Sequence, residues 1–299
     1  MNMAANRTRI AMKLALLLLL SALALFPVAL TVTNALMSER EIAHHYGALD
    51  GEDAVDAEDA DAAAMPTERV SIRWIPERVT LKPFAEVLLL QSKFLNLFWN
   101  SVRLALPILI GQTAIGTLAG YAFAKLAFPG RDGLFFVYLL TMLMPFQVTL
   151  VPNYLIADRL GLLQTYGAII WPGVFAAFGV FLMRQFTAGI PDPYLEAARI
   201  DGAGHFRAFR HIVLPIVKPG MTALALLLFA DNWNMVEQPL LFITEPFRQP
   251  LSVYLARINE GARGVAFASS TLYMTPMVLL FLYGEDQLVE GIQRSGIKG

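Results

Sequence analysis

The chain has 299 residues, of which 56% are hydrophobic and only 16% are charged. A soluble domain usually carries about 25% charged residues, so this composition excludes an ordinary soluble enzyme and a largely disordered chain. The net charge of the chain is −1, but nine acidic residues and one basic residue lie between positions 39 and 61, a local charge of −8. The rest of the chain therefore carries a net charge of +7, which is too little to indicate a nucleic-acid binder. There is no cysteine, which excludes disulfides, thiolate metal sites and a cysteine nucleophile.

Long uncharged runs dominate the sequence. A helix rises about 1.5 Å per residue, so about 20 apolar residues cross a hydrocarbon core of roughly 30 Å. Five uncharged runs are long enough, and a sixth is apolar apart from Asp231 and Glu237. The six predicted spans are Leu14–Ser38, Leu104–Ala124, Gly133–Ala157, Leu160–Met183, Pro219–Thr244 and Gly264–Gly284. The sequence therefore predicts an all-α integral membrane protein with six transmembrane helices.

The first span follows three basic residues, Arg7, Arg9 and Lys13, as a signal peptide also would. A cleavable signal has an apolar core of about 7–15 residues. This run is longer, and residues 32–35 make a poor cleavage site. We expect a membrane helix that is not cleaved.

The positions of Lys and Arg predict the orientation. If the N-terminus lies inside, twelve of these residues fall in cytoplasmic segments and four, Arg159, Arg248, Arg257 and Arg263, fall in the two short outer loops. We therefore expect a multi-pass protein of the plasma or inner membrane with both termini in the cytoplasm.

Four segments organise the chain. They are residues 1–38 with the N-terminus and first helix, 39–98 as an extracytoplasmic loop, 99–290 as the transmembrane core, and 291–299 as a cytoplasmic tail. Within the outer loop, Asp50–Asp61 holds seven acidic residues in twelve, which indicates a solvated, flexible stretch. A calcium loop is the alternative, but the required turn glycine is missing from its position.

Small residues and prolines mark the predicted spans. Gly116, Gly120 and Ala124 lie four apart, a spacing that suits close contact between membrane helices. Prolines also occur within the spans and tend to kink helices, which favours a transporter over a passive anchor. They are Pro107, Pro145, Pro152, Pro172, Pro239 and Pro276.

The cytoplasmic loop at 184–218 has the pattern of a helix, a glycine turn and a second helix. Asp192 followed by Pro193 predicts a helix start with an aspartate cap, and Gly202 with Gly204 predicts its end. We expect Leu195, Ala198 and Ile200 to form the apolar side of the first helix. Such a loop on a membrane protein predicts a docking element.

The same loop carries a motif with specific spacing. Glu196-Ala197-Ala198, then Gly202, then Ile212-Val213-Leu214-Pro215 resembles the EAA motif of bacterial ABC-importer permeases. The flanks are similar to the maltose-type carbohydrate permeases. The similar stretches are Asn100-Ser101, residues 119–124, Gly161-Leu162, Ile190-Pro191, Trp233-Asn234, Pro239-Leu240 and Gly291 with residues 296–299.

This resemblance implies a transport subunit with a cytoplasmic coupling helix and no catalytic residue or metal of its own. The implied partners are a second permease, usually different in the sugar group, two ATPases that bind the EAA loops, and an extracytoplasmic solute-binding protein. ATP would bind to the ATPases, since this chain has no GxxxxGK[ST] loop. The residues implied in ATPase coupling are Glu196 as the charged contact, Ala197 and Ala198 for close approach, Gly202 for the turn, and Arg199 and Asp201 beside them.

Polar residues in the fifth span are candidates for the translocation pathway, because charged groups within a membrane usually face a partner or a cavity. The candidates are Asn232, Trp233, Asn234 and Glu237, an aromatic face with polar groups that suits a sugar. The alternative is interhelical hydrogen bonding. Asp231 and Glu237 are six residues apart, about 600° of helix rotation, so we expect them to point in different directions and not to form a carboxylate pair.

Three other functions remain possible on the sequence alone. A membrane-embedded enzyme is disfavoured because the four histidines, His44, His45, His205 and His211, lack metal-ligand spacing. A secondary transporter would not need the EAA helix. An importer of another small polar solute is the closest alternative to a carbohydrate importer.

Overall fold

The computed structural model describes residues 2–46, 75–90, 92–257 and 263–296. The acidic stretch Asp50–Asp61 lies outside these residues. The helices are α1 (Asn2–Ala35), α2 (Glu39–Tyr46), α3 (Lys82–Ala85), α4 (Ser92–Lys125), α5 (Arg131–Met142), α6 (Phe146–Arg159), α7 (Gly167–Val174), α8 (Ala177–Ala188), α9 (Asp192–Ile200), α10 (His205–Ala208), α11 (Leu214–Trp233), α12 (Glu237–Phe242), α13 (Leu251–Leu255) and α14 (Arg263–Gly296). Single π-helical turns at Glu86–Leu90 and Phe209–Val213 continue α3 and join α10 to α11. No strand occurs in the described residues, so the all-α prediction is confirmed.

Five stretches in the described residues are long and apolar enough to cross a membrane. They are Arg9–Ala35, Lys93–Lys125, Gly167–Ala188, His205–Trp233 and Arg263–Asp286. A sixth span exists if α5 and α6 count together, but these two helices meet at an angle of 103°. The prediction of one helix over Gly133–Ala157 is therefore wrong, because the chain bends sharply at residues 143–145.

Two other predicted spans have different limits in the structure. The fourth span starts at Gly167, since residues 160–166 form a turn in which Gln164 has a φ of 62°. The fifth starts at His205 and ends at Trp233, so the predicted range Pro219–Thr244 is shifted. The second half of the cytoplasmic loop is thus continuous with the helical stretch of that span.

The described residues of Met1–Leu95 and Arg257–Met274 form one compact unit. In it, the backbone N–H of Thr80 donates to the carbonyl of Leu36 at 2.9 Å. The carboxylate of Glu41 accepts from the N–H of Glu77 at 2.7 Å. Ile42 is buried and lies beside the start of α14 at Gly264, so α2 and the 75–85 segment are fixed to that helix end.

Asn96–Ala256 and Thr275–Gly299 form the second unit, in which α4 packs closely on α8. A Cβ atom added at Gly116 would lie 2.8 Å from the carbonyl carbon of Gly179, and one at Gly120 would lie 2.7 Å from the backbone nitrogen of Arg184. Only glycine permits this approach, so the predicted small-residue contact is confirmed.

Three helix breaks interrupt this unit, between α5 and α6, between α7 and α8, and between α11 and α12. Gln112 on α4 bridges the second break. With its amide oriented to satisfy both partners, it donates to the carbonyl of Gly173 at 3.0 Å and accepts from the N–H of Gly179 at 3.3 Å. A backbone break inside a membrane needs such partners or a cavity.

Candidate functional site

The helix α9 ends in a glycine turn at Gly202. The N–H of Gly202 donates to the carbonyl of Arg199 at 3.0 Å, and the N–H of Ala203 donates to the carbonyl of Ala198 at 2.8 Å. This pair of bonds is the Schellman motif, which needs a left-handed residue at the turn. Gly202 has a φ of +75°, so the predicted glycine end of the helix is confirmed.

The start of α9 differs from the prediction. Asp192 is the first residue of the helix and makes no capping hydrogen bond, so its predicted role as a cap is wrong. Its carboxylate instead accepts from Lys125 Nζ at 2.6 Å. This ammonium, together with the more distant Arg199, holds the pKa of the Asp192 carboxyl below its usual range.

One side of α9 is buried against its own chain. Leu195 and Ala198 are buried in a cluster with residues of α4, α8 and α11, including Tyr121, Met183 and Val217. Ala198, which was predicted to allow close approach of an ATPase, is 7% exposed and lines the groove between α9 and α10; its role in ATPase coupling stays a prediction.

The other side of α9 is open to solvent. Glu196, Ala197, Arg199, Asp201 and Gly202 are all exposed. Ile200 is 86% exposed, so its predicted place on the buried side is wrong. Phe206 on α10 is 71% exposed, so a bulky apolar side chain is left uncovered on each side of the glycine turn.

A groove of about 530 Å³ separates α9 from α10 and the π-helical turn. Its lining includes Tyr194, Ala197, Asp201, Arg207 and His211. The groove therefore presents an aromatic ring, a small residue beside which another protein can pack closely, and charges of both signs. This exposed surface, which we name the docking face, consists of Tyr194, Glu196, Ala197, Arg199, Ile200, Asp201, Phe206 and Arg207.

A larger cavity of about 920 Å³ lies at the helix breaks of the same unit. It is lined by Phe146 at the start of α6, Ala176 between α7 and α8, and residues 234–238, which cover the α11–α12 break and the start of α12. Backbone groups released at a break can face such a cavity without being stranded in lipid. In secondary transporters, substrate sites near the middle of the membrane are typically formed by discontinuous helices, and the breaks here surround a cavity in a similar way.

Three of the four pathway candidates line this cavity. They are Asn232, Asn234 and Glu237. The amide of Asn232 donates to the carbonyl of Leu228 at 2.8 Å, and that of Asn234 donates to the carbonyl of Ala230 at 2.7 Å and lies 3.9 Å from the sulfur of Met277 on α14. Glu237 accepts from the amide of Gln147 at 3.4 Å.

The fourth candidate, Trp233, has a different environment. Its side chain is 2% exposed, with the ring stacked on Phe229 at 5.0 Å and edge-on to Phe98 at 5.5 Å between centroids. It thus packs α11 against α4, as the alternative of interhelical contact expects. Contact between this ring and a solute would require the indole to leave that packing.

Asp231 and Glu237 both line this cavity. They lie on different helices, since α11 ends at Trp233 and α12 starts at Glu237, so the continuous helix on which their divergence was predicted does not exist. That they do not form a carboxylate pair stays a prediction.

Sequence reasoning missed three polar residues that the fold brings to these sites. Gln112 and Asn153 line the cavity from α4 and α6, and Lys125 holds the start of α9. The signal available for Lys125 was its position as the first charge after the second uncharged run. Among the described residues, no group of three or more His, Asp or Glu side chains could hold a metal ion.

These features agree with a comparison against known families. The family described as "Binding-protein-dependent transport system inner membrane component" matches residues 112–289. This match covers more than half of the chain, and the chain belongs to that family. It is a multi-pass membrane permease of an ABC importer, a transport subunit and not an enzyme.

Individual relatives support the same class. The arabinooligosaccharides transport system permease protein AraQ of Halalkalibacterium halodurans is 28% identical over 233 residues, 77% of this chain and 84% of that protein. The sn-glycerol-3-phosphate transport system permease protein UgpE of Salmonella choleraesuis is 32% identical over 210 residues, 68% of this chain and 72% of that protein.

A solved structure shares the fold. It is the crystal structure of a bacterial ABC transporter involved in the import of the acidic polysaccharide alginate, which matches with a TM-score of 0.76 at 20% identity over 94% of this chain and 97% of that one. Family membership decides against the membrane enzyme and the secondary transporter considered from the sequence.

Proposed function

We propose that this chain forms one half of the translocation pathway of an importer for neutral carbohydrates. A second, different permease supplies the other half, two ATPases dock on the cytoplasmic side, and an extracytoplasmic binding protein delivers the solute. ATP binds to the ATPases. The observation that carries the proposal is that one compact unit joins the polar cavity at the helix breaks to the docking face.

The lining of the cavity supports a polyhydroxylated solute. Amide side chains contribute to it from α4, α6, α11, the following break and α12, namely Gln112, Asn153, Asn232, Asn234 and Gln238. Amides donate and accept hydrogen bonds, as sugar hydroxyls do. The names of the relatives, with arabinooligosaccharides, glycerol 3-phosphate and alginate, agree with carbohydrates and their derivatives.

Charge favours a neutral solute over an anionic one. Asp231 and Glu237 are acidic, and none of the described residues that line the cavity is Lys, Arg or His. A cleft lined by one sign of charge repels solutes of the same sign. A neutral oligosaccharide therefore suits this half of the pathway better than a phosphate ester or a uronate.

The docking face supports ATPase binding. On it Glu196 offers a charged contact, Ala197 allows close approach, and Ile200 with Phe206 supplies apolar area. Basic residues cluster at this end of the unit, including Lys125 and Arg207. The positive-inside rule therefore supports a cytoplasmic docking face and, with it, cytoplasmic termini.

Uptake into proteoliposomes that hold the complete importer and its binding protein tests the proposal. We expect uptake of a neutral arabino-oligosaccharide to exceed that of sn-glycerol 3-phosphate or an alginate oligosaccharide by at least about tenfold. The double variant Asp231→Asn, Glu237→Gln should narrow this difference. Preference for either anion would contradict the neutral-solute proposal, and uptake without ATP would contradict the importer.

A further inference from the structure

Lys125 is the last residue of α4, and its ammonium is held by the chain that enters α9. Nζ donates to the backbone carbonyl of Ile190 at 2.5 Å and to Asp192 Oδ1 at 2.6 Å. The Lys125 side chain is only 7% exposed, whereas that of Asp192 is 72% exposed. A buried ammonium requires such acceptors, so the contact is a fixed point and not a loose surface ion pair.

The same face of α4 also holds the far end of the helix–turn–helix. Tyr121 lies one helical turn before Lys125, and its hydroxyl donates to the carbonyl of His205 at 3.5 Å. Its ring packs against Phe209 with centroids 5.2 Å apart. Two successive turns of α4 thus contact the start of α9 and the start of α10.

The other functional contact of α4 lies near its middle. Gln112 bridges the α7–α8 break and lines the cavity. It lies thirteen residues before Lys125 on the same helix, a distance of about 20 Å along the axis. A continuous helix of this length moves as a stiff rod, so displacement at Lys125 reaches Gln112.

We propose that Lys125 is a positioning residue that latches the coupling helix α9 to α4 and so transmits ATPase movement to the cavity. The inference rests on the proposed function, because it assumes that ATPases move the docking face. When α9 is displaced, the ionic latch carries α4 with it, and Gln112 shifts the α7–α8 break against α11. Without the latch, α9 can tilt on its apolar side while α4 stays in place.

The absence of cysteine from this chain makes the cavity directly measurable. We would place a single reporter, Asn153→Cys, in the cavity lining of the complete complex with cysteine-free partner subunits. The rate of its reaction with N-ethylmaleimide is compared without nucleotide and after trapping with ATP and vanadate. ATP hydrolysis and co-purification of the ATPases are measured on the same samples.

With Lys125 intact, we expect trapping to change the labelling rate by at least about fivefold. In Lys125→Met, the change should fall below about twofold, while ATP hydrolysis and ATPase binding stay near the parent level. Lys125→Arg keeps a cationic donor and should restore most of the response. Asp192→Asn changes an exposed side chain and keeps the hydrogen bond from Lys125 to Ile190, so it should give a change in labelling rate between those of the parent and Lys125→Met. This variant tests the proposal even if Lys125→Met fails to assemble.

The matched control is Arg131→Met. Arg131 also forms a close pair with an acidic residue, Asp132, at 2.9 Å and donates to the carbonyl of Leu126 at 3.4 Å, but neither contact reaches α9, so the change in labelling rate should match that of the parent. An equal response in Lys125→Met and the parent, or in Asp192→Asn and the parent, would overturn the latch. Loss of the ATPases from both variants would overturn it in favour of a docking role. A parent complex that binds no ATPase would instead overturn the proposed function itself.

Discussion

Replacing Gly202 with alanine should loosen the turn between α9 and α10 without any steric clash. Gly202 has a φ of +75°, and a Cβ atom placed there would meet nothing within 4 Å. The perturbation therefore acts on backbone conformation alone. Gly204 is the matched control, because it also has open space around it but an ordinary φ of −69°.

The expected effect of Gly202→Ala on the turn follows from the conformational energy of the backbone. An L-residue in the left-handed region is disfavoured by about 1–2 kcal/mol. If the turn opens to avoid this strain, it loses the two hydrogen bonds from Gly202 and Ala203 to the end of α9. A change of 1–2 kcal/mol alters an equilibrium by a factor of about 5–30, so the population of the opened turn should rise by that factor.

Hydrogen exchange of the segment that contains residues 195–204 measures this opening. In Gly202→Ala the exchange rate of the Ala203 amide should rise by about 5–30-fold, while Gly204→Ala should match the parent. Gly202→Asn should lie between them, since asparagine tolerates the left-handed region better than alanine. Unchanged exchange in Gly202→Ala, or an equal rise in Gly204→Ala, would refute the assignment of the turn.

Three further predictions concern packing, docking and pH. Gly116→Ala should lower the stability of the chain by about 1–3 kcal/mol in thermal unfolding, because its Cβ meets the backbone of α8, whereas Gly133→Ala, with open space around it, should not. Glu196→Ala should weaken ATPase co-purification at unchanged thermal stability, since its side chain is exposed; a loss of stability would contradict a docking role. The pKa of Asp192 is lowered in the folded state, so its link stabilises the chain above the ordinary pKa of about 4 and is lost on acidification below it. Acid titration of unfolding should show this loss in the parent and not in Lys125→Met.

Uncharged length located most of the spans but not all of their limits, because the crossing requirement is set by the bilayer, whereas the helix ends depend on packing. The breaks were not predictable from the prolines. Pro107 and Pro276 lie within the continuous helices α4 and α14, and only Pro145 stands at a break. The break after Trp233 contains no proline, since a break inside a membrane depends on partners supplied by other helices.

The glycine turn of the EAA loop was predictable because its signal is local. A helix end with a glycine at the left-handed position depends on a few neighbouring residues. The side that α9 buries was only partly predictable. Ile200 has the same hydrophobicity as Leu195, and only the tertiary fold shows that one is buried and the other exposed.

Lys125 and Gln112 show the limit of reasoning from spacing. The hydrogen-bond partners of Lys125 lie at least 65 residues away in the sequence. The partners of Gln112 lie on the two sides of the α7–α8 break. Sequence shows a terminal lysine and a polar residue in an apolar run, both of which are common in membrane helices. Their functional interest comes from contacts that no local pattern encodes.

Site-specific cross-linking in the assembled importer tests the central claim most directly, namely that α9 is the surface on which the ATPases act. A single cysteine in place of the exposed Ala197 would carry a maleimide-linked benzophenone, which cross-links on illumination without a thiol on the partner, and one in place of the exposed Ala85, in the predicted outer loop, serves as the control. The account predicts an adduct between position 197 and an ATPase subunit whose yield changes with ATP, and none from position 85. A complex that hydrolyses ATP yet gives no ATPase adduct at position 197 would contradict it.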